Sequence, residues 1–476
     1  MEEQKAFKEA EPVKNPLETE KISKLLASFC IPSLASSLVT SVYNIVDQLF
    51  IGNTLGIVGN AATNVVFPVV TLITALSLMC GVGPSASMNI NLGHNDKNAA
   101  ARAVGGGFGL MVLCGLIVAV PMLIFTEPIL HVFGCTDTVM PYAMPYARII
   151  SLGFVFSMIG ASGPFLIRAD NSPNYALLCI ATGAALNIIL DAIFIYGFKW
   201  GIRGAAWATV DAQFVSFLMV IRYMRKSFGV IKLKASDFKP DFRLYGKMAA
   251  IGAGPAFNFL TQALVQVFLN NALRTYGAAS KYGSDICLAA AGVANKVNSL
   301  AVAMVVGMTN GLQPIASYNF GRKNYARVAE AASAVVKIVL ICGCVIFACY
   351  QLFPIQITSL FGSGSDLYFE FAGKFFRIFY LLIALFGLQT SVAGFFSAQG
   401  KVSKSVTISL VRQVLFFPPL LVILPKFMGL NGVLWSGPIS DLAMAVVASV
   451  LFTKELRKLD ELQKHENTGH ETEAAE

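Results

Sequence analysis

The chain has 476 residues, 55% of them hydrophobic and only 13% charged, with a mean hydropathy of +0.65. Soluble domains carry roughly 25% charged residues, so the composition excludes a soluble globular protein and points to an all-α membrane protein. The net charge of +9 would suit a nucleic-acid partner if it sat on one face. With the N-terminus placed inside, however, about 25 of the Lys and Arg residues fall on the inner side, about 5 outside and about 6 within spans, as the positive-inside rule requires. The excess is topological, and no nucleic-acid partner is expected.

In chain order, residues 1–23 read as a cytoplasmic N-terminal segment, of which 1–20 are polar and acidic, with no apolar core and no small-residue cleavage site, so no removable signal peptide is read there. Apolar runs of ~20 residues then predict about twelve transmembrane helices. The first six lie near 24–52, 60–92, 103–126, 138–166, 174–198 and 204–224, forming an amino lobe over 24–226. A basic linker over 227–243 follows, within a cluster running from Arg222 to Lys247 that reads as a cytoplasmic stop and an anchor to anionic lipid. The second six lie near 245–276, 288–319, 328–352, 367–396, 404–425 and 431–453, forming a carboxyl lobe over 244–455. Residues 456–476 read as a frayed helix passing into a cytoplasmic disordered tail. An even number of spans puts both termini on one side.

The two lobes are tandem repeats. Gly83, Gly93, Phe133, Gly134, Gly201, Gly204 and Trp207 recur as Gly311, Gly321, Phe361, Gly362, Gly429, Gly432 and Trp435, all at an offset of 228. Repeats of six helices share one orientation, related by an axis along the membrane normal.

Two acids stand out against this apolar background. Asp47 and Asp191 lie in segments long enough to cross a bilayer, where a charge at mid-depth costs about 2.5–3.5 kcal/mol or more and marks an ion or proton path. In the first helix Ser33, Ser37, Thr40, Asn44 and Asp47 step by three or four, a polar stripe that must face protein or water. The seventh helix carries Asn258, Gln262, Gln266 and Asn270 instead, and aligning Pro255 with Pro32 sets Asn270 opposite Asp47. Asp191 shifted by 228 lands on Pro419 and Asn187 on Leu415, so the acidic site is expected in the first half alone. Asn187 and Asp191 are four apart and share a helix face; Thr209 and Asp211 lie in the next helix. Two carboxylates, an amide carbonyl and a hydroxyl make an all-oxygen shell suited to a hard cation or a shared proton.

The tandem repeat, NIVDQLFIG, LNIILD followed by GIRGAAWAT, and the NLGHND and NFGRKN loops together resemble the multidrug and toxic compound extrusion (MATE) family over roughly 24–455, most of all its bacterial MepA-like branch. The family's amino-lobe cation site combines an acid, an Asn, an Asp four residues later and a Thr eighteen beyond; here Asp47, Asn187, Asp191 and Thr209 match. The resemblance implies a monomeric secondary exporter in the bacterial plasma membrane, with H+ or Na+ as coupling ion and no other cofactor. Small-molecule drugs and organic cations would be its substrates, and membrane lipids its surroundings. Ser37, Thr40, Asn44, Gln262, Gln266, Asn270 and Gln389 are candidate lining residues of the substrate cavity. Members of the NorM type carry acids on the seventh and tenth helices, where this chain has the Gln262/Gln266 region and Gln389, so cation binding in the carboxyl lobe is not expected.

Other signals point away from enzymes. There is no GxxxxGK[ST] loop to cradle a nucleotide, no HExxH pair, and no CxxC among nine scattered cysteines. His94 and His131 stand alone in loops, and His465 and His470 lie in the tail. Gly105, Gly106, Gly107 and Gly109 read as a close helix-packing surface. Two rivals to drug export are a lipid-linked oligosaccharide flippase of the same superfamily, for which Arg148, Arg377 and Arg412 would be the cationic residues within spans, and a polytopic membrane enzyme or receptor. Pro32, which weakens the local hydrogen-bond ladder, is the expected bending point of the first helix.

Overall fold

The computed structural model describes residues 15–226, 228–360 and 365–473, without the side chains of 48, 49, 51–61 and 468–473; Phe361, Gly362 and the His470 side chain therefore lie outside the described residues. In the amino lobe a short α1 (Pro16–Thr19) precedes α2 (Ile22–Gly93), α3 (Lys97–Ile124), α4 (Thr126–Val132), α5 (Met140–Leu152), α6 (Phe154–Ala169), α7 (Pro173–Asp191) and α8 (Ile202–Lys226). The carboxyl lobe holds α9 (Phe242–Ala278), α10 (Gly283–Gly321), α11 (Tyr325–Leu352), α12 (Pro354–Ser359), α13 (Asp366–Lys374), α14 (Ile383–Ala398), α15 (Val402–Leu410), α16 (Phe417–Met428) and α17 (Leu430–Glu473). Among the described residues there is no strand.

Among the described residues ten helical segments are long and apolar enough to cross a membrane, and the number is twelve when each of two bent pairs is taken as one span, as the hydropathy predicts. The bends are 53° between α5 and α6 and 49° before α14. They break at Gly153 and around Leu381, which are equivalent positions of the two repeats.

Helix α2 carries two of these spans, Ile22–Asp47 and Ala62–Gly93. A Cβ added to Gly311 would meet Cys30, and one added to Gly321 would meet Ile90. Gly311 and Gly321 are about 15 Å apart along α10, whereas Cys30 and Ile90 would be about 90 Å apart along a straight helix at 1.5 Å per residue. Helix α2 therefore doubles back, and its two spans lie side by side against α10.

The repeat is visible in the backbone. Asn95 and Lys323, 228 apart, both adopt left-handed φ (59° and 61°), as do Gly201 and Gly429 (59° and 56°). Asp96 then caps α3 by accepting from the Ala99 N–H at 2.8 Å, and Asn324 caps α11 by accepting from the Arg327 N–H at 3.4 Å. NLGHND and NFGRKN are thus one device used twice: a glycine ends a helix, a left-handed residue turns the chain, and a capping side chain starts the next helix.

The lobes meet at one end of the molecule. Gly93 and Gly321 pack backbone to backbone, each where a Cβ would collide with the other helix. At the same end Asn171 donates to Asn15 at 3.1 Å, the Asn319 amide donates to the Leu17 carbonyl at 3.0 Å, and Arg322 pairs with Glu18 at 3.2 Å. Asp170 accepts from Tyr223, Gly229 N and Val230 N at 2.8–2.9 Å, which ties the linker to the amino lobe. The glycines of α3 are close-packing residues: a Cβ on Gly105 would strike the Asp237 carbonyl of the linker, one on Gly109 the Tyr245 hydroxyl of α9, and one on Gly107 the Pro84 ring of α2.

The C-terminal segment is helical as far as Glu473, and residues 474–476 of the expected tail lie outside the described residues. Helix α17 continues to Glu473 because its charged extension docks on the start of α11. Lys323 pairs with Glu466 at 3.0 Å and Gln463 Oε1 accepts from the Ala326 N–H at 3.0 Å. Part of the abundant phenylalanine is packing, as in the carboxyl lobe, where Phe371, Phe375, Phe376 and Phe417 are buried in one cluster.

Candidate functional site

Helix α7 leaves the terminus-bearing end at Pro173 and reaches Asp191 eighteen residues later; α8 returns to that end at Lys226, seventeen residues after Thr209. At 1.5 Å per residue these are about 27 and 26 Å, so Asp191 and Thr209 lie at one depth, well inside the membrane-crossing region. Just past Asp191 the backbone widens into a π-helical turn, Ala192–Gly197. Such turns recur at functional sites, where they interrupt the regular ladder.

Asp191 is fully buried, and Asn187 is 3% exposed. Neither Asp191 oxygen, nor Asn187 Oδ1, receives a hydrogen from a described donor group. The Asp47 carboxyl is an electrostatic neighbour of Asp191. Two buried carboxyl groups that repel each other favour something positive between them, either a shared proton or a bound cation. The phenols of Tyr43 and Tyr146 are also near both acids. Sequence reasoning missed these two tyrosines, although Tyr43 sits one turn before Asp47.

The spacing of Asn187, Asp191 and Thr209 therefore does bring them together, but Thr209 acts differently from a plain ligand. Its hydroxyl donates to the Ala205 carbonyl at 3.0 Å and accepts from the Asn187 amide at 3.4 Å. It thereby turns Asn187 so that the amide oxygen is left without a donor. Asp211 is two residues farther on, about 200° around the helix from Thr209.

The candidate lining residues are more scattered in role. Thr40 donates to its own helix at the Ser36 carbonyl (2.9 Å), Ser37 is half-buried and Asn44 is exposed. In α9, Gln262 donates to Asn258 at 3.4 Å and Gln266 donates to Asn270 at 2.9 Å, so the row of amides satisfies itself in pairs. Gln389 is 1% exposed, and neither end of its amide has a hydrogen-bond partner.

The second half holds a buried acid that the sequence reading did not single out. Asp441 in α17 is buried, 6% exposed, and accepts from Arg412 Nε at 2.7 Å. The Asp47 argument applies equally to Asp441, an acid in an apolar run at 431–453, and should have found it. Arg412, offered as a bare cation within a span, is neutralised by this partner. The equivalent residues of the first lobe, 228 earlier, are Ala184 and Gln213. Among the described residues no group of three or more His, Cys, Asp or Glu could hold a metal ion.

The geometry can be set beside known proteins. The Multidrug export protein MepA of Staphylococcus aureus strain MSSA476 is 24% identical over 442 residues, covering 91% of this chain and 94% of that protein. The protein of the same name from Staphylococcus saprophyticus is 22% identical over equal shares. Among solved structures, a MATE in complex with MaL6 superposes with a TM-score of 0.87 at 22% identity, over 94% of this chain and 99% of that one. A multidrug resistance MATE family transporter of the MOP superfamily in an outward-facing conformation gives 0.86 at 22% identity, over 93% and 98%. The MatE family profile matches residues 32–193 and 256–423, one stretch in each lobe. With twelve spans, two repeated lobes and that match, the chain belongs to the MatE family of multi-pass membrane transporters and is not an enzyme.

Proposed function

We propose that this protein is a secondary active multidrug exporter that moves amphiphilic, often cationic, small molecules in exchange for a proton or a sodium ion. The observation that carries the reading is Asp191, fully buried beside the Asp47 carboxyl with no hydrogen donor on either of its own oxygens. A buried pair of this kind gains stability when it takes up a positive charge and loses it when the charge leaves. Ion occupancy can therefore bias one arrangement of the lobes over another. Asn187, turned by Thr209, supplies a further oxygen to the same point. The Multidrug export protein name of the relatives supports the substrate class. The pairing of Arg412 with Asp441 argues against the flippase alternative, which calls for uncompensated cations to hold pyrophosphate.

The orientation belongs to the same proposal: a bacterial plasma membrane protein, acting as a monomer, with both termini and the basic linker in the cytoplasm, where the Lys and Arg excess would place them. The test is efflux of an ethidium-like cation from energised vesicles under imposed pH or sodium gradients, normalised to protein level. Asp47→Asn and Asp191→Asn should each abolish the gradient dependence while leaving the protein folded, because the amide keeps the size and removes a costly buried charge. Normal gradient-driven pumping by both variants would sink the reading.

A further inference from the structure

We propose that Arg412 and Asp441 form a subsite for the headgroup of zwitterionic amphiphiles, in which the ligand's carboxylate takes the place of Asp441 on the guanidinium and its ammonium takes the place of Arg412 on the carboxylate. The inference rests on the export reading above and adds a substrate class and a place for it in the carboxyl lobe.

The pair is buried at 9% and 6% exposure, and its Nε–Oδ1 distance is 2.7 Å. A monocation drawn to Asp441 would strand Arg412 as a buried charge, and an anion drawn to Arg412 would strand Asp441. Breaking a buried pair by removing one partner is heavily penalised. A ligand carrying both signs replaces both partners at once and leaves no buried charge uncovered.

The surroundings fit such a ligand. The rings of Phe386 and Phe417 lie 5.2 and 5.7 Å from the guanidinium carbon and provide flat apolar walls. Gln413, next to Arg412 on the π-helical turn Val411–Phe416, is buried with its Nε2 unpartnered. Tyr380, beside both charged groups, donates to Asn295 Oδ1 at 2.7 Å, and the Asn295 Nδ2 also lacks an acceptor. Buried amide donors without acceptors are costly, and an incoming carboxylate would satisfy them.

The architecture does not demand the pair, because the first lobe builds the same helices with Ala184 and Gln213 at these positions. Its depth also suits a substrate. Ser397 Oγ, at the end of α14 just before α15, donates to the Ile251 carbonyl at 2.7 Å, and Gly254 packs on Ser405 of α15, so α9 and α15 set out from one end. Eight and seven residues farther on, Gln262 and Arg412 lie about 12 and 10 Å deeper, at matching levels. The subsite is thus level with the amide row of α9.

The experiment uses the full-length protein in lipid nanodiscs, at a pH of about 6 that keeps α-amino groups protonated, and two fluorescent probes, Nε-dansyl-lysine, a zwitterion, and its methyl ester, at that pH a monocation of almost the same shape. The wild type should bind the zwitterion at least about ten-fold more tightly than the ester. Gln413→Leu should lower that ratio several-fold, and the double variant Arg412→Gln with Asp441→Asn should bring it to about one. A wild-type ratio near one overturns the proposal, as does a high ratio that survives in Gln413→Leu or in the folded double variant. If the double variant fails to fold, the wild type and Gln413→Leu decide. In proteoliposomes, movement of neither probe counts against the export reading, whereas movement of the ester with no preference for the zwitterion counts against the subsite alone.

Discussion

Gln313 donates from Nε2 to Ser85 Oγ at 2.7 Å, and the two residues occupy the same position of the two repeats, 228 apart. The same nitrogen donates to the Val82 carbonyl at 3.0 Å. A residue that touches its own repeat counterpart must lie at the axis relating the lobes, so this bond marks the centre of the interface. Gln313→Met keeps the volume and removes both bonds, leaving the Ser85 hydroxyl and the Val82 carbonyl paired with each other at 3.1 Å. The expected effect is a loss of about 0.5–1.5 kcal/mol from the joined arrangement, read as a lower thermal midpoint and a lower yield of a disulfide engineered across the interface.

Gly93 and Gly321 set how closely the lobes approach. A methyl group at either position would meet the backbone of the opposing helix rather than a side chain that could move aside. Gly93→Ala and Gly321→Ala should each hold that end apart and slow transport at least about ten-fold, in line with overpacking costs of about 1–3 kcal/mol. Spin-label distances across the interface should lengthen in both variants, and unchanged distances would refute the argument.

Asp170 fastens the linker. Asp170→Asn leaves a single oxygen where three donors converge and sets its NH2 group against one backbone N–H whichever way the amide lies, that of Val230 or that of Gly229. Stability should fall by about 1–3 kcal/mol, and proteolysis in the linker near Phe228 should accelerate. Asp170→Asn protein as resistant to cleavage as the wild type would show that the linker is held by other contacts.

Ser236 reports orientation. It is exposed in the short turn Ala235–Phe238 of the basic linker. With reactive native cysteines removed, Ser236→Cys should stay unlabelled by an impermeant maleimide added to intact cells and become labelled in inverted vesicles. Labelling of intact cells would reverse the assigned topology.

Much of this was legible in the sequence because it rests on local rules. Apolar length gave the spans, and the offset of 228 gave the two lobes, since glycines and caps that end helices recur wherever the backbone does. Asn187 and Asp191 were legible from a four-residue step on one helix. Arg412 and Asp441 were not read as a pair because they lie 29 residues apart on different helices, and only packing brings them to 2.7 Å. The orienting role of Thr209 likewise depends on how α7 and α8 are rotated against each other. The docked end of α17 was not legible for the same reason: a charged segment reads as solvated until a partner such as Lys323 is found for Glu466.

The fastening at Asp170 has a mechanical consequence. Gly229 and Val230 are held on the amino lobe, and Asp237 rests on Gly105 of α3, so the linker is committed to one lobe almost to its end. Between Phe238 and the first residue of α9, Phe242, only four peptide steps remain, a leash of about 14 Å at full stretch. While those contacts hold, the lobes cannot part at this end by sliding. Any large separation there has to be a swing about the tethered corner, with the greatest displacement at the points farthest from it.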